Sequence, residues 1–286
     1  MSTSAVLTAG SAVADAAARL AAAGIAEARR EARPILAMAL QADPAVLLGY
    51  PERPVDAAAQ ARFDHLIARR LKHEPISRLR GAREFWSLDF ALSPETLDPR
   101  PDSETLIEAA LAHLPDRQAP LHVLDFGTGT GCLLLALLHE LPHATGFGID
   151  ALPGAVETAR RNAAALGLAA RAAFRLGDWD RGIEGAADVI LANPPYIPSD
   201  DIAILAPEVA AFEPRGALDG GPDGLDAYRI LAPATQRLLT PKGLACIELG
   251  AGQAASVAAL FGRSGLTINE IRRDLSGIER CLVATL

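Results

Sequence analysis

Apolar positions in the first part of the chain repeat at helical spacing. From Ala12 to Ala23, Val13, Ala17, Leu20 and Ala21 share a face. Ala26 to Leu40 continues the pattern, and Pro34 is expected to start a helix or kink one, because it lacks an amide hydrogen. Asp43-Pro44 reads as an N-cap followed by proline at the first helical position. Val55 to Leu71 gathers Phe63, Leu66, Ile67 and Leu71 on one side. Its basic end, Arg69-Arg70-Leu71-Lys72-His73, reads as a solvated C-terminus favoured by the helix dipole. Between Glu84 and Leu92 the character changes. Phe85, Trp86, Leu88, Phe90 and Leu92 predict paired strands.

From Leu121 onward, short apolar runs alternate with helical patterns. Strands are predicted at Leu121–Phe126, Thr145–Ile149, Arg171–Leu176, Asp188–Ala192, Leu244–Leu249, Ile268–Arg272 and Cys281–Thr285. Helices fall between them, at Cys132–Leu141, Pro153–Leu166, Gly224–Leu239 and Ala254–Phe261. Seven strands separated by helices predict an α/β fold with a doubly wound sheet. Residues 197–222, rich in Pro, Gly and acids, read as a long functional loop. The expected organisation is a helical domain over 1–78, a hairpin linker over 79–96 and a cofactor-binding domain over 97–286.

Composition narrows the function. The chain has 286 residues, half of them hydrophobic, with a net charge of −8. That balance argues against non-specific nucleic-acid binding. No run is apolar and long enough to span a bilayer. Met1 to Gly10 lacks the basic and apolar regions of a secretory signal. Cys132, Cys246 and Cys281 are few, odd in number and far apart, so they read as small buried hydrophobes in a reducing cytoplasm. None of the six histidines has a convincing ligand partner, and no metal site is expected.

The most informative stretch is Asn193-Pro194-Pro195-Tyr196, after the apolar run Asp188–Ala192. Neither proline can continue a central strand, and each holds the residue before it extended. Carbonyls of Asn193 and Pro194 are thereby turned away from the sheet, beside the Asn193 side-chain amide and the flat face of Tyr196. Rigid acceptors beside a stacking surface suit a planar NH2 group.

Gly127-Thr128-Gly129-Thr130-Gly131 follows a predicted strand and opens a helix, the context that gives a glycine loop meaning. A dinucleotide fingerprint needs a small residue where Cys132 stands, and the glycines here fall at 127, 129 and 131 instead. With Asp125 ahead of them, they resemble the first motif of class I S-adenosylmethionine methyltransferases. Asp150, ending the next strand, is placed to accept bonds from both ribose hydroxyls. Asp178 and Trp179, ending the third, are placed to bracket the adenine.

The chain resembles the HemK/PrmC family, the release-factor glutamine N5-methyltransferases. The likeness is carried by Glu74-Pro75-Ile76, Gly81-x-Arg83-Glu84-Phe85-Trp86 and Pro99-Arg100-Pro101-Asp102-Ser103-Glu104. Glu213-Pro214-Arg215 and Ala217-Leu218-Asp219-Gly220-Gly221-x-Asp223-Gly224-Leu225 add to it. Asp98 stands where the pattern is apolar, and Ser103 where threonine is commoner. The resemblance implies a class I methyltransferase fold with a small N-terminal all-helical domain that docks substrate. It implies S-adenosyl-L-methionine as cofactor and the glutamine of the Gly-Gly-Gln loop of class 1 peptide release factors as substrate. On that reading Asn193, Pro194 and Tyr196 are catalytic, with Pro195 and Arg100 contacting substrate. Gly127 to Gly131, Asp150, Asp178, Trp179 and Asn193 hold the cofactor, and the protein works as a cytoplasmic monomer.

Two other readings share these residues. Adenine N6 methyltransferases use similar motifs, since adenine also presents a planar NH2, but they usually carry a basic recognition domain. A non-catalytic cofactor-binding protein would have no need of an intact Asn193, Asp150 and glycine loop.

Overall fold

A computed structural model describes residues 7–286; of the Met1 to Gly10 segment, residues 1–6 lie outside the described residues. Two units are present, one ending at Gly81 and the other running from Ala82 to Leu286. The first is helical: α1 (Ala9–Ala22), α2 (Ala28–Leu40), α3 (Pro44–Gly49), α4 (Ala57–Arg70) and α5 (Ile76–Arg80). Thr8 and Ser11 cap the start of α1 reciprocally, while Asp43 and Asp56 cap α3 and α4 by accepting from Ala45 N and Ala59 N. Leu20, Ile35, Leu36, Phe63 and Ile67 meet in a buried core. Pro34 neither starts nor ends α2 but sits inside it. The lost amide bond is tolerated because Ala32, Ile35 and Leu36 on either side are completely buried. Arg70 also departs from expectation. It is not solvated: it is 5% exposed, and its Nε donates to Glu31 Oε2 at 2.6 Å. The last turn of α4 packs against α2, so the guanidinium needs a carboxylate there to offset its desolvation.

The second unit begins with an antiparallel hairpin, β1 (Ala82–Phe85) and β2 (Leu88–Ala91). Trp86 and Ser87 make its turn at φ 55° and 57°, the left-handed pair that a two-residue hairpin requires. Side chains hold it there: Trp86 N donates to Glu104 Oε1 and Ser87 N to Glu84 Oε1. Phe85 and Phe90 pack edge to face and are buried in the core of this unit.

Beyond the hairpin come α6 (Glu104–His113), β3 (His122–Phe126), α7 (Cys132–Glu140), β4 (Thr145–Asp150), α8 (Pro153–Ala165), β5 (Ala172–Leu176) and β6 (Ala187–Ala192). Then follow α9 (Pro207–Phe212), α10 (Asp226–Leu238), β7 (Leu239–Glu248), α11 (Ala254–Arg263), β8 (Thr267–Arg273) and β9 (Glu279–Thr285). Among the described residues seven strands form one sheet, ordered β5-β4-β3-β6-β7-β9-β8. Five are parallel; β9 runs antiparallel to both β7 and β8. The central strands read as continuous apolar runs because both faces are covered, and β6 is buried along almost all of its length. Residues 197–222 are more ordered than a plain loop. They hold α9 and two 3₁₀ turns, Ser199–Ile204 and Arg215–Ala217. Strand order reverses between β3 and β6, so their carboxyl ends open a crevice.

Candidate active site

The glycine loop leaves β3 with Gly127, Gly129 and Gly131 at φ 66°, 55° and 81°, a backbone closed to most side chains. A Cβ at Gly127 would meet nothing within 4 Å, and one at Gly129 only the Gly127 carbonyl at that limit. The loop therefore presents bare backbone to open space. Gly131 instead buys close packing: a Cβ there would come within 3.1 Å of Leu135. Thr128 N donates to the Ile149 carbonyl, and Thr128 Oγ1 donates to Asp125 Oδ2 at 2.6 Å.

Asp150 does more than end β4. Its Oδ2 accepts from Gly129 N at 2.8 Å and its Oδ1 from Leu152 N at 2.9 Å. Each oxygen keeps a second lone pair for a ligand. Asp150 thus fixes the glycine loop and remains an acceptor. Burial raises its pKa above the ordinary carboxylate value, against the bonds from Leu152 and Gly129. Asp178 and Trp179 stand beside it on the wall of the same cleft, with Trp179 at φ 51° and Asp178 paired to Arg181 at 2.6 Å.

Asp125, 1% exposed beneath the loop, is pushed up to about 7. Burial is the main cause, the Thr128 bond opposes it and the charge of Asp150 adds to it. A carboxyl whose folded value lies above its ordinary 3.8 contributes stability that is full below that value and lost as pH rises through about 7. The ligand-free protein should therefore lose unfolding free energy relative to Asp125→Asn by roughly 1.4 kcal/mol per pH unit between pH 5 and 7. Urea titrations at fixed pH read this directly, and a constant difference between the two proteins would remove Asp125 as the source.

At the end of β6, Asn193 Nδ2 donates to Ser103 Oγ at 3.2 Å. Ser103 Oγ in turn donates to Glu248 Oε2 at 2.5 Å, and Tyr196 Oη donates to Glu248 Oε1 at 3.3 Å. Gln253 Nε2 donates to the Tyr196 carbonyl at 2.9 Å, and Gly224 packs so closely there that a Cβ would sit 2.3 Å from the same oxygen. Ile197 N donates to the Leu218 carbonyl and Gly220 N to the Ile197 carbonyl. The Ala217–Leu225 stretch is thus a splint for the proline motif. Asn193 and Pro195 line the cleft; Pro194 is buried, and Tyr196 is half-buried with its ring against the sheet-side core.

Arg100 lines the cleft and donates through Nη2 to Glu213 Oε1 at 3.0 Å. Glu213 also accepts from Asp98 N, so one buried carboxylate joins the Pro99–Glu104 passage to the Glu213-Pro214-Arg215 turn. Ser103 stands at the N-cap position of α6 but makes no capping bond with its side chain, because its hydroxyl is drawn to Glu248.

The cleft therefore unites Arg100, Gly127 to Thr130, Asp150, Asp178, Trp179, Asn193 and Pro195. Ser103, Glu95, Glu213, Glu248 and Gln253 were not legible as site residues. Glu95 lines the cleft and accepts from Gly154 N at the start of α8. For Glu248 a signal existed: it is a carboxylate within the otherwise apolar run Leu244–Leu249. Cys132 also lines the cleft, but burial pushes its thiol up to about 12, which keeps it unreactive. A second, more open groove at the amino ends of the strands, lined by His122, Arg175 and Ile183, contains none of the motif residues.

Comparison with known proteins bears on the fold and the family. Residues 11–81 match the family described as PrmC N-terminal domain, and residues 118–264 one described as methyltransferase domain. A release factor glutamine methyltransferase of Rhodospirillum rubrum is 52% identical over 266 residues, covering 93% of this chain and 81% of the relative. One from Cereibacter sphaeroides is 46% identical, covering 94% of this chain and 95% of the relative. A methyltransferase from Pyrococcus furiosus shares the fold at a TM-score of 0.51 and 17% identity, over 69% of this chain and 88% of that one. With both of its regions matched and identity this high along nearly its whole length, the chain belongs to the release factor glutamine methyltransferase family.

Proposed function

We propose that this protein methylates the side-chain amide nitrogen of the glutamine in the Gly-Gly-Gln loop of class 1 peptide release factors, tuning translation termination. One observation carries the reading. Asn193, at the carboxyl end of β6, has its amide nitrogen bound to Ser103, so its oxygen is the atom left for a ligand, beside the glycine-loop cleft. The cofactor is S-adenosyl-L-methionine, which supplies an electrophilic methyl on a positive sulfur. The cleft fits it: bare backbone at Gly127 and Gly129, lone pairs on Asp150, the indole of Trp179, and a lining whose carboxylates, Glu95, Asp150 and Asp178, suit a cation.

An amide nitrogen is a poor nucleophile because its lone pair is delocalised into the carbonyl. In this reading Asn193 Oδ1 and the Pro194 carbonyl each accept one substrate N–H, which fixes the nitrogen and lets its lone pair turn toward the methyl as it pyramidalises. Alignment lowers the barrier, and the same two oxygens stabilise positive charge growing on nitrogen. Tyr196, its hydroxyl tied to Glu248, offers its remaining ring face to the amide plane, and Pro195 keeps the turn stiff. Arg100, held by Glu213, frames the substrate's entry. The nitrogen becomes acidic once methylated and sheds its proton afterwards, so no strong general base is needed. The helical unit docks the release factor, and the enzyme works as a cytoplasmic monomer. Among the described residues no helix is long and apolar enough to cross a membrane.

Incubation with methyl-labelled cofactor and intact release factor, then mass spectrometry of the Gly-Gly-Gln peptide, tests the assignment. Label on the glutamine amide nitrogen is expected; label elsewhere, or none, rejects it. The adenine side of the cofactor site has its own test. In a Trp86→Phe background, which leaves Trp179 as the single indole, S-adenosylhomocysteine should change the fluorescence. An unchanged spectrum at saturation would move the adenine elsewhere.

A further inference from the structure

Ser103 and Glu248 lie 145 residues apart, and both are nearly inaccessible, at 2% and 1% exposure. Ser103 borders the cleft beside Asn193, while Glu248 does not line it and reaches Asn193 only through Ser103. The bonds between them have a direction that chemistry imposes. Burial pushes the Glu248 carboxyl up to about 7, against the bond from Ser103, the charge of Arg280 and the bond from Tyr196. Above that pH it is a carboxylate that only accepts, so the Ser103 hydroxyl, 2.5 Å from Glu248 Oε2, commits its single proton to that bond. Its oxygen can then only accept from Asn193, 3.2 Å away. An amide can donate only through its nitrogen, so Asn193 must present Nδ2 to Ser103 and keep Oδ1 on the other side.

We infer that Glu248 is a positioning residue which, through the Ser103 hydroxyl, selects the rotamer of the Asn193 amide that offers its oxygen to the substrate nitrogen. The inference rests on the glutamine-amide reading for its kinetic consequence, although the bond chain itself requires no substrate. The oxygen and nitrogen of an asparagine amide are almost equal in size, so packing alone chooses weakly between two orientations related by a half turn. The wrong one would set an N–H against a substrate N–H. A polar chain ending in an acceptor-only group removes that degeneracy. Tyr196 donates to the other oxygen of Glu248, and Arg280, which has its own bonds to Asp274 and the Leu249 carbonyl, opposes part of the effect of burial and favours the charged form.

The test has two arms. In the first, single-turnover methyl transfer to release factor is measured at saturating substrate and at a pH above the Glu248 value of about 7, with cofactor affinity by calorimetry. Ser103→Ala and Glu248→Gln should each lower the maximal rate about 10- to 100-fold, the scale of a misplaced reacting group, with little change in cofactor affinity. Ser103→Thr, which keeps the hydroxyl, should stay within a few fold of the parent. The double variant Ser103→Ala/Glu248→Gln should be no slower than the slower single one, because both act through one bond. Multiplying rate losses would mean that Glu248 acts by another route and would overturn the inference. So would a parent-like rate in Ser103→Ala.

The second arm needs no substrate. The Asn193 side-chain amide resonances, assigned by their loss in Asn193→Ala, should shift in Ser103→Ala and Glu248→Gln and hold in Ser103→Thr. Unshifted resonances would overturn the inference whatever the enzyme methylates. Shifted resonances in a protein that methylates no release factor would instead count against the substrate assignment alone.

Discussion

Asn193→Ala is expected to lower the single-turnover rate of methyl transfer by about 10²–10³, the range seen when one preorganised polar group is removed from an active site. Alanine takes away the oxygen proposed to accept a substrate N–H and leaves Ser103 Oγ without its donor. It adds no bulk, and the strand behind it is held by its ladder to β3 and β7, so the fold should survive. Cofactor affinity should change much less than the rate. Asn193→Asp separates the roles further. Aspartate keeps an acceptor, but two acceptor-only oxygens cannot donate to Ser103, whose proton is already directed at Glu248. Its charge would also attract the cofactor's positive sulfur in the ground state, which tightens binding without speeding transfer. Aspartate should therefore be slow despite normal or improved cofactor binding. Parent-like turnover in Asn193→Ala would end the proposed mechanism, and a loss explained wholly by cofactor affinity would assign Asn193 to the cofactor site.

Asp150→Ala should weaken cofactor binding by roughly 1.5–3 kcal/mol, the scale of hydrogen bonds to a charged group, or about 10- to 150-fold in Kd. Two effects combine. The variant loses the acceptors proposed for the ribose hydroxyls, and it frees Gly129 N and Leu152 N, so the loop is no longer held in the shape it presents. Asp150→Asn distinguishes them. It can keep an acceptor for one backbone amide but must place an NH2 where the other carboxylate oxygen stood. If loop shape dominates, the asparagine variant should bind nearly as poorly as alanine; if ribose bonding dominates, it should lie between alanine and the parent. Calorimetry with S-adenosylhomocysteine measures both, and unchanged affinity in a folded alanine variant would remove Asp150 from the cofactor site.

The sequence by itself determined the alternation of strands and helices, the doubly wound class and the stretches that carry chemistry. Each of these is written locally. A buried parallel strand is an apolar run, a glycine loop declares positive φ, and Asn-Pro-Pro-Tyr cannot continue a strand. The pattern alone thus places the carboxyl ends of β3, β4, β5 and β6 side by side, because a doubly wound sheet gathers them at one crevice. Only the tertiary structure decided how that crevice is braced. Ser103 reads locally as a helix cap, yet Glu248 lies 2.5 Å from it across 145 residues, and a hydroxyl goes to the strongest acceptor within reach. Arg70 reads as a solvated helix end, yet α2 brings Glu31 against it. Residues 197–222 read as loop and Gly224 as the start of a helix, yet Gly220 and Gly224 are small because the Tyr196 backbone passes within contact of both, and the helix begins only at Asp226. Local propensity reports which backbone a residue can adopt. The partner of a buried polar group is set by chain segments far away in sequence, and no local period records them.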